Sequence, residues 1–295
     1  MSNPTLAQLA QQERTRREIL HKSDLIPPLP DVVIRVLRLL DRPDTEPAQL
    51  ESCLCFDQVL VAKMLGMVNS PFYGLRHPVG TVREAIMVLG FRGLRSLILA
   101  TSAAKFLARD FRCYGFADRG LWLHSITVAA GARLLARRTG ADAELGEQLF
   151  VAGLLHDIGK MLLAPYLTER RATVPPGAPG LEVERAVAGI DHTEAGALVA
   201  AKWNITPLVQ EVVKLHHTAD VGSASEREAC IVQAADRVAN ALGFGHAPGV
   251  RAEPIEAADA VLGRLGIAPD DRAAVRAELA EAMERAVATM TAVTG

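Results

Sequence analysis

The chain has 295 residues, a formal charge of −2, and 49% hydrophobic but only 4% aromatic residues. The near-neutral balance excludes the strongly basic footprint of a nucleic-acid binder, and the length allows one large or two small domains around a substantial core. Ala, Leu, Val and Arg dominate, and straight-chain residues and Ala lose little entropy in helices, so the composition favours helix over strand. The N-terminus, MSNPTLAQLAQQERTRREIL, is too polar for a signal peptide. The apolar stretch 94–107 is broken by Arg95 and Lys105 and reads as too short to span a bilayer. A cytoplasmic chain with no membrane or nucleic-acid partner is expected. Cys53, Cys55, Cys113 and Cys230 show no CxxC spacing and are expected to be packed free thiols.

In chain order, Asn3 or Thr5 caps an opening amphipathic helix that ends near His21. Ile26-Pro27-Pro28-Leu29-Pro30 forces an extended connector, because each proline fixes its own φ and restricts its predecessor. Asp31 is expected to cap a helix with an apolar face of Val32, Val33, Val36, Leu37, Leu39 and Leu40. Helices follow at 47–56 and at 58–68, the second capped by Asp57. Asn69-Ser70-Pro71 ends that helix through side-chain-to-backbone bonds, with Phe72 and Tyr73 anchoring the loop in the core. Tyr73 with Arg76 and His77 offers a partner surface instead. Thr81 and Glu84 form a capping box for 82–89, and Gly90 separates it from a long helix over 92–107.

In the second half Asp118 is expected to cap a helix carrying His124 through Arg138 and closed by Gly140. Asp142 caps 144–156, and Gly159 lets the chain turn after Asp157. The run VPPGAPG at 174–180 reads as a loop and as the clearest local flexibility signal. Helices are expected at 181–189, 193–203, 207–217 and 225–242, then two amphipathic helices beyond the Gly/Pro-rich connector 243–254. No sustained period-two alternation is present. The fold class is all-α: an N-terminal helix (1–25), an N-terminal lobe (26–115), a second, His/Asp-containing lobe (116–245) and C-terminal helices (246–295).

Five of the eight histidines fall in one ordered series with two aspartates: His124, His156-Asp157, His192, His216-His217 and Asp236; His21, His77 and His246 lie outside it. Imidazole and carboxylate donors suit Fe, Mn, Ni or Zn. Each residue alone has a packing explanation, but Asp236 amid Ala235 and Val238 would be costly to bury without a partner. At a helix end before glycine, His156 and Asp157 can turn into one pocket. His124, His156, Asp157 and Asp236 would then hold one metal with open positions. His192 and His216 would hold a second, with Asp157 bridging; His217 is the least secure of the set, since adjacent histidines need not both face inwards. Lys160 would stabilise developing phosphate charge or donate a proton.

The order His124, His156-Asp157, Asp236 resembles the HD superfamily of metal-dependent phosphohydrolases, and the surrounding text resembles its HDOD family of bacterial signalling output domains. The likeness rests on Ile26-Pro27-Pro28-Leu29-Pro30-Asp31, Asn69-Ser70-Pro71-Phe72-Tyr73-Gly74 and Glu84-Ala85-Ile86-Met87-Val88-Leu89-Gly90. In the second lobe it rests on Leu123-His124-Ser125, His156-Asp157-Ile158-Gly159-Lys160, Asp191-His192-Thr193-Glu194-Ala195-Gly196 and Lys202-Trp203. It implies a regulatory module acting on a signalling protein partner. The ligand set is also similar to that of the HD-GYP cyclic di-GMP phosphodiesterases. By that comparison His124, His156, Asp157, His192, His216, His217 and Asp236 stand at metal positions and Lys160 on the substrate side. Three departures stand out: Asp57-Gln58 replaces Asp-Pro, Thr218-Ala219-Asp220-Val221-Gly222 lacks a Gly-Tyr-Pro signature, and Gly120 stands where trimetallic members have Glu.

Two functions are therefore expected in competition. One is a signalling module working through protein contacts with a retained divalent-metal site of one or two ions. The other is a phosphohydrolase acting on a nucleotide or cyclic dinucleotide, with Lys160 and Asp157 catalytic. The final helices are expected either to pack on the body or to form a homodimer contact. The flanks read as too short for a receiver, kinase or cyclase domain, so the input signal is expected from another chain, a metal or a small ligand.

Overall fold

The computed structural model describes residues 6–21, 26–71, 73–170, 180–219, 222–250 and 252–294. The expected caps Asn3 and Thr5, the anchor Phe72, the loop residues 174–179 and the pair Asp220-Val221 lie outside them. Among the described residues the regular structure is helical: α1 (Leu6–His21), α2 (Asp31–Leu40), α3 (Pro47–Leu54), α4 (Gln58–Val68), α5 (Val82–Leu107), α6 (Gly120–Arg138), α7 (Ala143–Leu155), α8 (Lys160–Glu169), α9 (Gly180–Ala188), α10 (His192–Lys202), α11 (Pro207–Leu215), α12 (Glu226–Ala241), α13 (Ile255–Arg264) and α14 (Pro269–Thr294). The only extended pairing among them is an isolated antiparallel bridge between Phe116 and His246. The all-α expectation holds.

Side-chain caps start several of these helices. Asp57 accepts from the amide of Leu60 at 2.9 Å, and Asp142 from that of Leu145 at 2.8 Å. Thr81 and Glu84 complete the expected capping box. Gly90 takes φ 68° inside α5 and breaks it into two segments at the expected place. Asn69 closes the loop after α4 by clamping both backbone groups of Val79, at 2.8 and 2.6 Å.

Four local expectations are corrected. Asp31 is the first residue of α2 rather than its cap; the extended Pro30 occupies the cap, and its carbonyl accepts from the amide of Ile34. Arg119, at φ 56°, stands at the cap of α6 in place of Asp118. Helix α8 went unread, because Gly159 and Pro165 look like breakers. Of the four cysteines, only Cys230 is buried; Cys55 is exposed.

One core runs through α5, α6 and α7. Leu97, Ile98 and Leu107 of α5, Leu121 and Ile126 of α6, and Leu149 and Leu154 of α7 are fully buried. The stretch 94–107 lies within a longer helical span, Val82–Leu107, which with Ala143–Glu169 is long and apolar enough by length and composition to cross a membrane. Their apolar windows are 61% and 83% buried inside the fold, as core helices are. The apolar face of α14 is also covered: Val275, Leu279, Met283 and Ala286 are buried, and Met283 and Leu279 lie over Gly131 of α6.

Candidate metal centre

All seven side chains of the His/Asp series converge at one place, from three helices and the C-terminal ends of two more. His124 projects from α6 and Asp236 from the middle of α12, 3.1 Å apart between Nε2 and Oδ1. His156 is the C-cap of α7, and Asp157 follows it into the turn. His216 is the C-cap of α11, with His217 next, and His192 opens α10. Asp191 holds that opening turn by accepting from the amides of Thr193 and Glu194. His124, His156, Asp157, His192, His216 and Asp236 are each at most 3% exposed. His217, the least secure of the set in sequence, faces inward too, with its Nε2 3.0 Å from that of His192.

The donors fall into two groups: His124, His156 and Asp236, then Asp157, His192, His216 and His217, each with ligand atoms within 4.8 Å of one another. Asp157 stands between them. Its Oδ2 is 3.4 Å from His156 Nε2 and 3.8 Å from His124 Nε2, while its Oδ1 is 3.2 Å from His192 Nε2. Lys160 Nζ, one helical turn on, lies 2.5 Å from the same Oδ2.

The two helix ends use one device. Nδ1 of His156 bonds the carbonyl of Gly153 at 2.7 Å, and Nδ1 of His216 bonds that of Val213 at 2.7 Å. A carbonyl can only accept, so each Nδ1 carries the proton and each Nε2 keeps a bare lone pair. Both Nε2 atoms, with Asp157 Oδ1, are buried with no hydrogen-bond partner among the described residues. Unpartnered buried acceptors cost free energy in an apolar interior. An assembly of lone pairs converging from rigid elements fits a divalent cation, and the negative ends of α7 and α11 add to that fit.

The electrostatics agree. Burial opposes ionisation of Asp157, yet Lys160 and His156 hold its carboxyl well below the usual range. Burial likewise opposes ionisation of Asp236, and the hydrogen bond from His124 with the charges of His156 and His124 keeps it ionised. Burial and the neighbouring imidazoles push His216 well below its ordinary value, and burial with His192 pushes His217 down to about 3. His216 and His217 are thus the neutral imidazoles, and Asp157 and Asp236 the ionised carboxylates, that ligation needs, whereas the two carboxylates raise His156 despite its burial.

Three contributors escaped the sequence reading. Glu184 of α9, fully buried, lies 2.7 Å from His192 Nδ1 and also accepts the backbone amide of His192 at 2.9 Å. Asn240, one turn after Asp236, donates to its Oδ1 at 2.9 Å. His246, set outside the series, stacks on His124 with ring centroids 6.1 Å apart. Among the described residues no arginine pairs with Asp236; neighbouring Arg237 pairs with Glu253 instead.

Backbone contacts make the pocket dense. A Cβ on Gly159 would lie 2.0 Å from the carbonyl oxygen of His192 and 2.5 Å from the amide nitrogen of Gly196, so glycine is required by close approach. The chain turns over 156–159 as expected, but with φ at an ordinary −62° it is the close approach, and not backbone freedom, that demands glycine there. A Cβ on Gly120 would lie 2.0 Å from the carbonyl oxygen of Gly245. No side chain fits at 120, where trimetallic HD-GYP proteins are expected to carry Glu.

A family profile described as the HDOD domain matches residues 26–219, and the chain belongs to that family. It is similar, at 26% identity, to the crystal structure of an HDOD domain protein of unknown function from Geobacter sulfurreducens, with a TM-score of 0.68 over 95% of this chain and 97% of that one. A Shewanella amazonensis structure provisionally named a phosphohydrolase shares the fold at 23% identity, with a TM-score of 0.72 over 94% and 98% of the two chains. An uncharacterized protein of Treponema pallidum is 27% identical over 218 residues, 70% of this chain and 40% of that protein. Ribonuclease Y of Lachnoclostridium phytofermentans is 35% identical over 133 residues, 45% of this chain and 20% of the enzyme. The chain thus matches less than half the length of these curated relatives.

Proposed function

We propose that this chain is a cytoplasmic signalling module whose second lobe binds one or two divalent ions, of Fe, Mn, Ni or Zn, and whose output is a protein contact. The observation that carries the metal reading is the convergence of three unpartnered buried acceptors, His156 Nε2, His216 Nε2 and Asp157 Oδ1, on one point of the fold. In this reading His124, His156 and Asp236 hold one ion and His192, His216 and His217 the other, with Asp157 shared. Glu184 and Asn240 orient His192 and Asp236. The partner surface lies on the N-terminal lobe, where Phe56, Val59 and Met87 are 80%, 65% and 77% exposed. Large apolar side chains so open to water favour a protein contact. Elemental analysis of protein purified without chelators should give about one or two equivalents of a transition metal, and Asp157→Ala should lose it; metal-free native protein would end the proposal.

Phosphoester hydrolysis is the second reading, favoured by Lys160 beside Asp157 and by the ribonuclease Y relatives. Bound ions would supply Lewis acidity. Lys160, 14% exposed at its side chain, would orient the phosphoryl oxygens, and Asp157 would hold the lysine in place. A nucleotide and cyclic-dinucleotide panel with anaerobically Mn²⁺- or Fe²⁺-loaded protein decides it: turnover abolished by Asp157→Ala establishes an enzyme, and stoichiometric metal without turnover favours a sensor or structural site.

A further inference from the structure

The segment after α12 is built against the metal centre rather than trailing away from it. The amide of Ala117 donates to Gly245 and that of Ala247 to Gly115, both at 2.9 Å, forming the isolated bridge between Phe116 and His246. Gly120 and Gly245 interlock so closely that a Cβ on either would meet the other's carbonyl oxygen at 2.0 or 2.2 Å. This clamp sets the His246 ring nearly parallel to that of His124, at 14° between planes. Phe116 is the hub, with its ring centroid 5.3 Å from that of His246, 5.5 Å from that of His124 and 5.3 Å from Lys160 Nζ.

The rim thus formed differs from the ligands in one respect. The six ligands at most 3% exposed form a closed floor, whereas Lys160 and His246 are only partly buried and border the same Phe116 ring. His246 Nδ1 is buried and has no hydrogen-bond partner among the described residues. Two nitrogen-bearing side chains beside a metal pocket, one cationic, suit an anion with several acceptor oxygens. His246 also lies beyond residue 219, where the family match ends.

We infer that His246 is a positioning residue for a phosphoryl group, which it hydrogen-bonds through its imidazole while Lys160 contacts the same group from across Phe116. This rests on the metal reading above and names the ligand class of that site, a phosphate mono- or diester. The probe is inorganic phosphate, titrated by calorimetry into Mn²⁺-loaded full-length protein. His246→Ala should weaken phosphate binding by about ten- to a hundredfold, the range for losing a hydrogen bond to a charged group, with bound Mn²⁺ unchanged. His246→Asn, which keeps a donor near the position of the unpartnered Nδ1, should recover most of the affinity. Unchanged phosphate affinity in His246→Ala overturns the inference, as does a loss of Mn²⁺, which would make His246 part of the metal's own support. Should the alanine variant not fold, ¹⁵N-histidine spectra of the Zn²⁺-loaded parent must show the His246 ring signals shifting with phosphate; no shift is equally fatal. Parent protein that takes up no metal fails at the earlier step and refutes the metal reading itself.

Discussion

Glu184 holds His192 from two sides: one carboxylate oxygen lies 2.7 Å from Nδ1 of the ring and also accepts the residue's own amide at 2.9 Å. A carboxylate here can only accept, so Nδ1 carries the proton and Nε2 turns to Asp157 and His217 as a lone pair. Such carboxylate–histidine pairs fix the tautomer and raise ligand basicity. Glu184→Ala should therefore lower divalent-metal affinity by about ten- to a hundredfold while leaving the helical circular dichroism intact. Competition with a chromophoric chelator measures this; an unchanged dissociation constant would remove Glu184 from the site.

Gly159 tests how closely the site is packed. With His192 O and Gly196 N at 2.0 and 2.5 Å from its Cβ position, an added methyl meets backbone that has no rotamer to move. Gly159→Ala should cost about 1–3 kcal/mol, the range for overpacking. Because the clash falls on His192, metal affinity should fall with stability. Urea unfolding with and without metal separates the two, and a variant as stable as the parent would show that α8 and α10 can part without penalty.

These two residues mark the limit of what the sequence reveals. The ligands were legible, because histidine and aspartate in apolar helices need partners, and seven of them in order point to one pocket. The helices were legible wherever a cap or a φ-permissive residue marks an end, as at Asp57, Thr81, Gly90 and Asp142. Glu184 was not, since in Leu181-Glu182-Val183-Glu184-Arg185 it reads as one more surface charge, and only the packing of α9 buries it. His246 was hidden for a related reason: its place beside His124 depends on the contact between Gly245 and Gly120, 125 positions apart in a chain with no local signal for it. Helix α8 was lost to a local rule, as Gly159 and Pro165 suggest a break where tertiary contacts sustain a helix.

The buried imidazoles make the metal-free protein sensitive to acid. His217 sits at about 3 in the folded chain against an ordinary 6.5, and His216 is also displaced downward. The unfolded chain therefore binds protons more readily in that interval, and stability is full above about 6.5 and lost as pH falls toward the folded value. His156 is raised despite its burial, by Asp157 and Asp236, and opposes this with stability present in acid and lost as pH climbs. With His246, which burial and His124 push down to about 4, three lowered histidines stand against one raised one and leave a net loss. The thermal midpoint of chelator-treated protein should decline steadily between pH 7.5 and 5. Metal should steepen the decline, because protons then compete with the ion as well. A midpoint independent of pH would mean that these side chains are not held neutral.

The C-terminal helix offers the last test. Leu279 of α14 is fully buried and, with Met283, packs over Gly131, where the missing side chain lets the two helices approach. The apolar face of α14 is thus covered within the chain, which accounts for its amphipathic pattern without a second copy. Leu279→Ala should cost about 2–5 kcal/mol, as for a leucine removed from a core. Because α6 also carries His124, the loosening should reach the site as a modest fall in metal affinity. Sedimentation of the parent at high concentration should show a monomer. If the parent sediments as a dimer and Leu279→Ala dissociates it at little cost in stability, α14 serves an interface rather than the core.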